Sequence, residues 1–267
     1  MATTQEIFRV QSASEWAQKN GITTWTKFHY DSKPEQSIFT PLNPWGPDSI
    51  EQTYFGPIIE FDQQYFLAVG WKTEKEWENF KLSPEYQQLM ANLTTNNVQP
   101  ETKIIIFTGN IFAIGYTSNV EIFTVYWPAS ITHETQTAIW KTKKLVHTAA
   151  TGIPNPPCYK KPPMFGWIDG QTDWNGESAI ASVWSHKWQS QALEQKYKTT
   201  EKRLVWGDDG RSSYPMAVDA FQNDLKSLGA IGWESVHVAF ERVRVVEDAI
   251  ARDSRLRVEA MLEKRAT

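Results

Sequence analysis

The chain has one cysteine, Cys158, in 267 residues, so no disulfide can close within it. It has no dense run of lysine and arginine, and a formal net charge of −4 offers no footprint for nucleic acid or an anionic membrane. No apolar run approaches the roughly 18 residues of a membrane span. The start, MATTQEIFRV, lacks the apolar stretch of a secretory signal, and together with the lone cysteine this predicts a reducing, cytoplasmic setting. The five histidines never fall as HxxxH or HxH, so a metal site has no signature. P-loop, dinucleotide, nucleophile-elbow and HExxH motifs are missing too. No metal site and no nucleic-acid or membrane partner is expected.

What is plentiful is aromatic surface, above all 13 tryptophans. Apolar residues make up 40% of the chain and charged ones 22%, enough for a buried core and too apolar for disorder.

EIFRVQSAS (6–14) has a near-copy in EIFTVYWPAS (121–130), and the correspondence continues in order. Each strand-like run leads to a helix-like segment, roughly 14–28 and 131–150, and then to a proline-rich stretch, 31–48 and 151–163, where neither helix nor central strand is expected. Strands follow at 54–58 and 164–168 and again at 65–71 and 178–184. Helices are predicted at 73–93 and 185–204, and closing strands at 101–109 and 232–243. The second half carries an insertion, 206–230, with an extra helix, and a charged helix over 247–264 lies outside the repeat.

Each half thus reads β-α-β-β-α-β, the ferredoxin-like order, with both helices on one face of an antiparallel sheet. Two such copies in tandem can pack sheet to sheet as an α+β barrel. The expected domains are 1–118, 119–246 with the inserted helix, and a helical extension, 247–267.

The passage VGWKTEKEWENFKLSPEYQQL places Trp71, Trp77, Phe80, Ser83, Pro84 and Tyr86 on a recurrent pattern, and SVHVAFERV closes the second half. On these residues the chain resembles the dimeric α+β barrel superfamily: antibiotic-biosynthesis-monooxygenase-like, EthD-like and stress-responsive A/B barrel domains, in the tandem form common in filamentous fungi. The second half departs from the pattern, reading SHKWQSQALEQKY after Trp184 without SPxY.

His237 shares a face of its strand with Trp233, Ser235 and Ala239, opposite Val236, Val238 and Phe240. If the apolar face meets the helices, His237 points between the sheets, where an imidazole suits a general base. A satisfied interior histidine is the alternative. His133, Trp140 and His147 recur every seven residues on one helix face, with His147 nearest the proline-rich loop. Asp169 and Asp173 flank a hairpin connection, WIDGQTDWNG, where Asp169 beside indole rings could handle protons or simply form the turn. His29, Tyr30 and His186 fall at element ends and are expected to be exposed. Trp71, Trp127, Trp167, Trp184 and Trp233 lie on or at the ends of strands, suited either to a flat ligand or to core filling.

The resemblance implies a cofactor-independent enzyme of polyketide- or terpenoid-like metabolism. The expected activity is that of a cyclase or related lyase or isomerase, with His237 as base and His147, Asp169 or Tyr126 orienting or donating. The proline-rich loops would be lids. A cofactor-free monooxygenase on a phenol or anthrone, a non-catalytic binding or stress protein, and a haem binder are the alternatives. The expected partners are a hydrophobic small molecule and, since single-repeat relatives dimerise, a second copy of the chain.

Overall fold

The computed structural model describes residues 21–107, 118–141, 159–199 and 217–266. It divides into two compact units: the described residues of Arg9–Ser118 with Val238–Thr267, and Asn119–His237.

In the first unit β1 (Ile22–His29) leads through a 3-10 helix (Gln36–Trp45) and α1 (Gly46–Ser49) to β2 (Ile50–Pro57) and β3 (Gln64–Trp71). Helices α2 (Glu74–Lys81) and α3 (Pro84–Leu93) then precede β4 (Glu101–Phe107). The strand order is β2-β3-β1-β4, and β1 runs antiparallel to both β3 and β4.

Residues 22–28 are therefore strand and not the expected helix, while 14–20 lie outside the described residues. The cause is local. ITTWTKFH is rich in β-branched residues, which favour the pleated backbone. Gly21 starts it at φ +73°, where an added Cβ would stand 1.9 Å from the Trp71 carbonyl oxygen.

The proline-rich stretch 31–48 also departs from expectation, because much of it is helical. A 3-10 turn accepts proline's φ and brings positions i and i+3 into line, so Phe39 and Leu42 are buried together, with Trp45 packed against the same core. The predicted helix over 73–93 is two helices. Ser83 Oγ accepts from the Tyr86 N–H and Pro84 follows at the first helical position, which starts α3 afresh.

The second unit comprises β5 (Val120–Pro128), α4 (His133–Lys141), β6 (Tyr159–Ile168), β7 (Thr172–Trp174), β8 (Glu177–Trp188), α5 (Gln191–Thr199), α6 (Ala217–Ser227) and β9 (Gly232–Val238). Its order is β6-β8-β5-β9, with β7 also on β8. The first described strand of each unit is thus central: β1 lies between β3 and β4, and β5 between β8 and β9. EIFRV lies outside the described residues, so the counterpart of EIFTVYW within the described fold is ITTWTKFH.

Three boundaries move in this unit. β6 begins inside the second proline-rich stretch, and its register on β8 shifts between Lys161 and Met164, stepping past Pro162 and Pro163. Strand β8 continues through Trp188, so the helix expected from 185 starts at Gln191. Within the hairpin, Asn175 (φ 54°) and Gly176 (φ 85°) both take positive φ, the tight turn that an Asn-Gly pair provides. The helix expected in the insertion is α6, and 142–150 and 206–216 lie outside the described residues.

The expected closing strand 232–243 is interrupted after Val238. Its tail returns to the first unit, where β10 (Glu241–Arg242) pairs with β2 and α7 (Ala249–Ala266) follows. Asp248 fixes that return. Its buried carboxylate accepts from the Thr53 and Ala251 N–H groups and pairs with Arg242. No helix among the described residues is long and apolar enough to cross a membrane.

Candidate functional site

Side chains alternate along β5, and this sorts the candidate residues of the second unit onto two faces. Phe123, Val125 and Trp127 join Trp167, Trp184 and Trp188 in a core that includes Ile139 of α4 and Phe221 of α6. That is the helix-covered face. Trp233 packs at its margin. Trp127 donates from Nε1 to Ser182 Oγ at 2.8 Å, and Trp184 meets the Phe165 ring at 4.7 Å. Four of the five tryptophans singled out in the sequence are thereby brought together. Trp71 is in the other unit's core, donating to Thr24 Oγ1 at 3.0 Å.

Glu121 lies on the same face of β5 as Phe123 and is 1% exposed. A carboxylate buried there must be compensated. Its Oε1 accepts from Lys198 Nζ at 2.7 Å and Ser235 Oγ at 2.8 Å, and its Oε2 from Trp188 Nε1 at 2.9 Å. His186 Nδ1 stands 3.8 Å from Oε2. Lys198 also reaches Glu194 Oε1 at 2.5 Å, one helical turn back on α5, and His237 Nε2 meets that same oxygen at 2.8 Å.

His237 therefore faces helix α5, on the same side of β9 as Ser235, and does not turn away from the helices as expected. The reason is charge: Ser235 and His237 find their partners in a buried network on the helix side. The His237 side chain keeps 29% exposure, whereas His186, expected at the surface, is fully buried beside Glu121. Sequence reasoning missed Glu121, Glu194, Lys198 and Ser235 as partners. Their signals were a lone carboxylate inside an apolar strand and a Glu-Lys pair four residues apart on a helix.

Glu121, Glu194 and His237 hold one donor atom each within 4.8 Å of one another, a set that could bind a cation. The Lys198 ammonium already bridges the two carboxylates and supplies positive charge from within the chain.

Burial pushes the Glu121 carboxyl up. The charges of His186 and Lys198, with hydrogen bonds from Lys198 and Ser235, more than offset it and hold the group at about 2 against the ordinary 4.5. The folded value lies below the unfolded one, so the stabilisation is full above about pH 4.5 and is lost as pH falls toward 2, a loss of about 3 kcal/mol. Burial raises Asp248 and Glu51 of the other unit, so their contributions move in the opposite direction on acidification. Hydrogen exchange between pH 5 and pH 2.5 should show α5 and β9 losing protection before β2 and α7. Simultaneous loss in both units would contradict this.

On the face turned away from the helices, Tyr126 donates from its hydroxyl to Glu234 Oε1 at 2.6 Å. Its ring stacks on Trp174 of the β7 hairpin, with centroids 4.1 Å apart and planes 20° from parallel. Asp169 is half-buried in the bend after β6, and Asp173 Oδ1 accepts from the Gly176 N–H in the turn. Trp140 is exposed on α4, and His147 lies outside the described residues.

No protein-family model and no curated protein matches the chain. Solved structures do. An anthrone oxidase-like protein aligns at TM-score 0.50 and 10% identity, over 84% of this chain and 93% of that one. A candidate monooxygenase from Lactobacillus acidophilus aligns at TM-score 0.49 and 7% identity, over 85% and 96%, and another from Fusobacterium nucleatum at 0.46 and 9%, over 83% and 94%. At 10% identity the likeness to the anthrone oxidase-like protein concerns the fold alone.

Proposed function

We propose that this chain is a cofactor-independent enzyme of polyketide- or terpenoid-like metabolism, built from two copies of one ferredoxin-like unit, that moves protons on a hydrophobic aromatic or polycyclic substrate as a cyclase or related lyase or isomerase. The matching strand orders of the two units support the duplication. The observation that carries the chemistry is the contact between His237 Nε2 and Glu194 Oε1 at 2.8 Å. A carboxylate on one ring nitrogen fixes the tautomer and makes Nδ1 the basic nitrogen, the arrangement by which a histidine serves as a general base. Tyr126 lies on the opposite face of the sheet from His237 and is not its partner in this reading; the tryptophans stiffen the sheet that carries both.

A second reading, a cofactor-free monooxygenase on a phenol or anthrone, draws on the fold shared with an anthrone oxidase-like protein. The working assembly is a cytoplasmic monomer or homodimer.

The test is conversion of a panel of anthrones and polycyclic phenols, run with and without oxygen and followed by mass spectrometry. Conversion without oxygen, with mass unchanged or lowered by water or CO₂, supports the first reading. Uptake of O₂, with one oxygen atom retained in the product and the other released as water, supports the second. Binding without conversion, unchanged in His237→Gln, would reject both in favour of a binding protein.

A further inference from the structure

The Tyr126 ring is covered by a side chain from the short hairpin strand β7, which pairs with β8. Trp174 sits on β7, three residues long, and lies flat on Tyr126 at 4.1 Å, closer and more nearly parallel than the core pair Phe165–Trp184 at 4.7 Å and 53°. The indole also presses on the backbone of β9: a Cβ built on Gly232 would fall 2.3 Å from Trp174 Nε1 and 2.4 Å from its Cε2. Across the strands, Tyr126 is paired with Ala181, and its neighbour Ala179 on the same face of β8 is equally small. The Tyr126 hydroxyl is already hydrogen-bonded to Glu234, an exposed carboxylate. A flat ring system laid in place of the indole would therefore meet an aromatic face, a glycine backbone, small side chains and a phenol–carboxylate pair at one edge.

We propose that this is a binding site for a planar, hydroxylated aromatic molecule, that Trp174 occupies it in the ligand-free chain, and that the β7 hairpin lifts the indole off as the ligand stacks on Tyr126. The ligand class rests on the function proposed above, but the site is defined by ring geometry alone. Stacking is sequestered by Trp174 until displaced, so removing the indole strengthens binding. Face-to-face aromatic contacts of this kind correspond to about a two- to tenfold change in affinity.

The probe is a hydroxyanthraquinone, titrated against the full chain and followed by its visible absorbance. Trp174→Ala should bind it about two- to tenfold more tightly than the native chain. Gly232→Ala, which keeps the tryptophan but pushes it off its seat, should act in the same direction. Tyr126→Ala should abolish the gain when combined with Trp174→Ala. Weaker binding in Trp174→Ala would make the indole a ligand contact and overturn its role as a cover; unchanged binding in both Trp174→Ala and Gly232→Ala would overturn the site. Far-UV circular dichroism identifies any variant that fails to fold, and Gly232→Ala and Trp174→Ala serve as replacements for one another. Because the readout is binding, a chain that binds as stated but converts nothing sinks the enzyme reading alone. A chain that converts substrate while both variants leave binding unchanged sinks only this proposal.

Discussion

Lys198→Met is expected to destabilise the unit Asn119–His237 by about 3–5 kcal/mol, the cost of removing one partner from a buried ion pair. The methionine keeps most of the side-chain volume, so the loss comes from charge and not from a cavity. Glu121 would keep its hydrogen bonds from Ser235 and Trp188, with His186 nearby, but it would stand at 1% exposure without the ammonium 2.7 Å away. Glu194 would lose the same partner. Denaturant unfolding followed by far-UV circular dichroism reads the change as an earlier transition for this unit. Adding Glu121→Gln to Lys198→Met removes the stranded charge while keeping an acceptor, and should recover a large part of the loss. A drop below about 1 kcal/mol in the single variant would mean that water reaches Glu121 and that the network is worth no more than a surface pair.

Much of this architecture is legible from the residues. In the second half, and from β2 onward in the first, the order of strands and helices follows from alternating β-branched and aromatic runs separated by helical spacing, and the Asn175-Gly176 turn is written in its dipeptide. The misreadings have physical causes. Thr23, Thr24 and Thr26 fall in the segment expected to be helical, roughly 14–28, although their β-branching favours the strand they form as part of β1. The stretch around Pro41 and Pro44 is expected to be neither helix nor central strand, because proline fixes φ and lacks the N–H donor, but this leaves room for a 3-10 turn that lines up Phe39 and Leu42. The direction of His237 failed for a different reason. Alternation along β9 gives two faces, but which of them meets the helices is decided by partners far away in sequence, Glu121 and Glu194, that no local pattern announces. Trp174 was likewise hidden: its importance lies in resting on Tyr126 and Gly232, and only the fold brings those three together.

His237→Gln is expected to lower turnover by about 10²–10⁴-fold on whatever substrate the panel reveals, the range for loss of a positioned general base. Glutamine keeps a polar group within reach of Glu194 but cannot take up a proton at neutral pH. If His237 is the base, the loss falls on kcat with KM little changed, and the acidic limb of the pH profile disappears. Glu194→Gln should lower turnover less and shift that limb toward lower pH, since a neutral amide at 2.8 Å stabilises the imidazolium less than a carboxylate does. A merely structural role predicts something else: His237→Gln would shift the denaturation midpoint, leave turnover within about threefold, and keep the acidic limb in place. That outcome would return the histidine to the ion network of α5 and β9, and would leave Tyr126 with Glu234 as the proton-handling pair of the second unit.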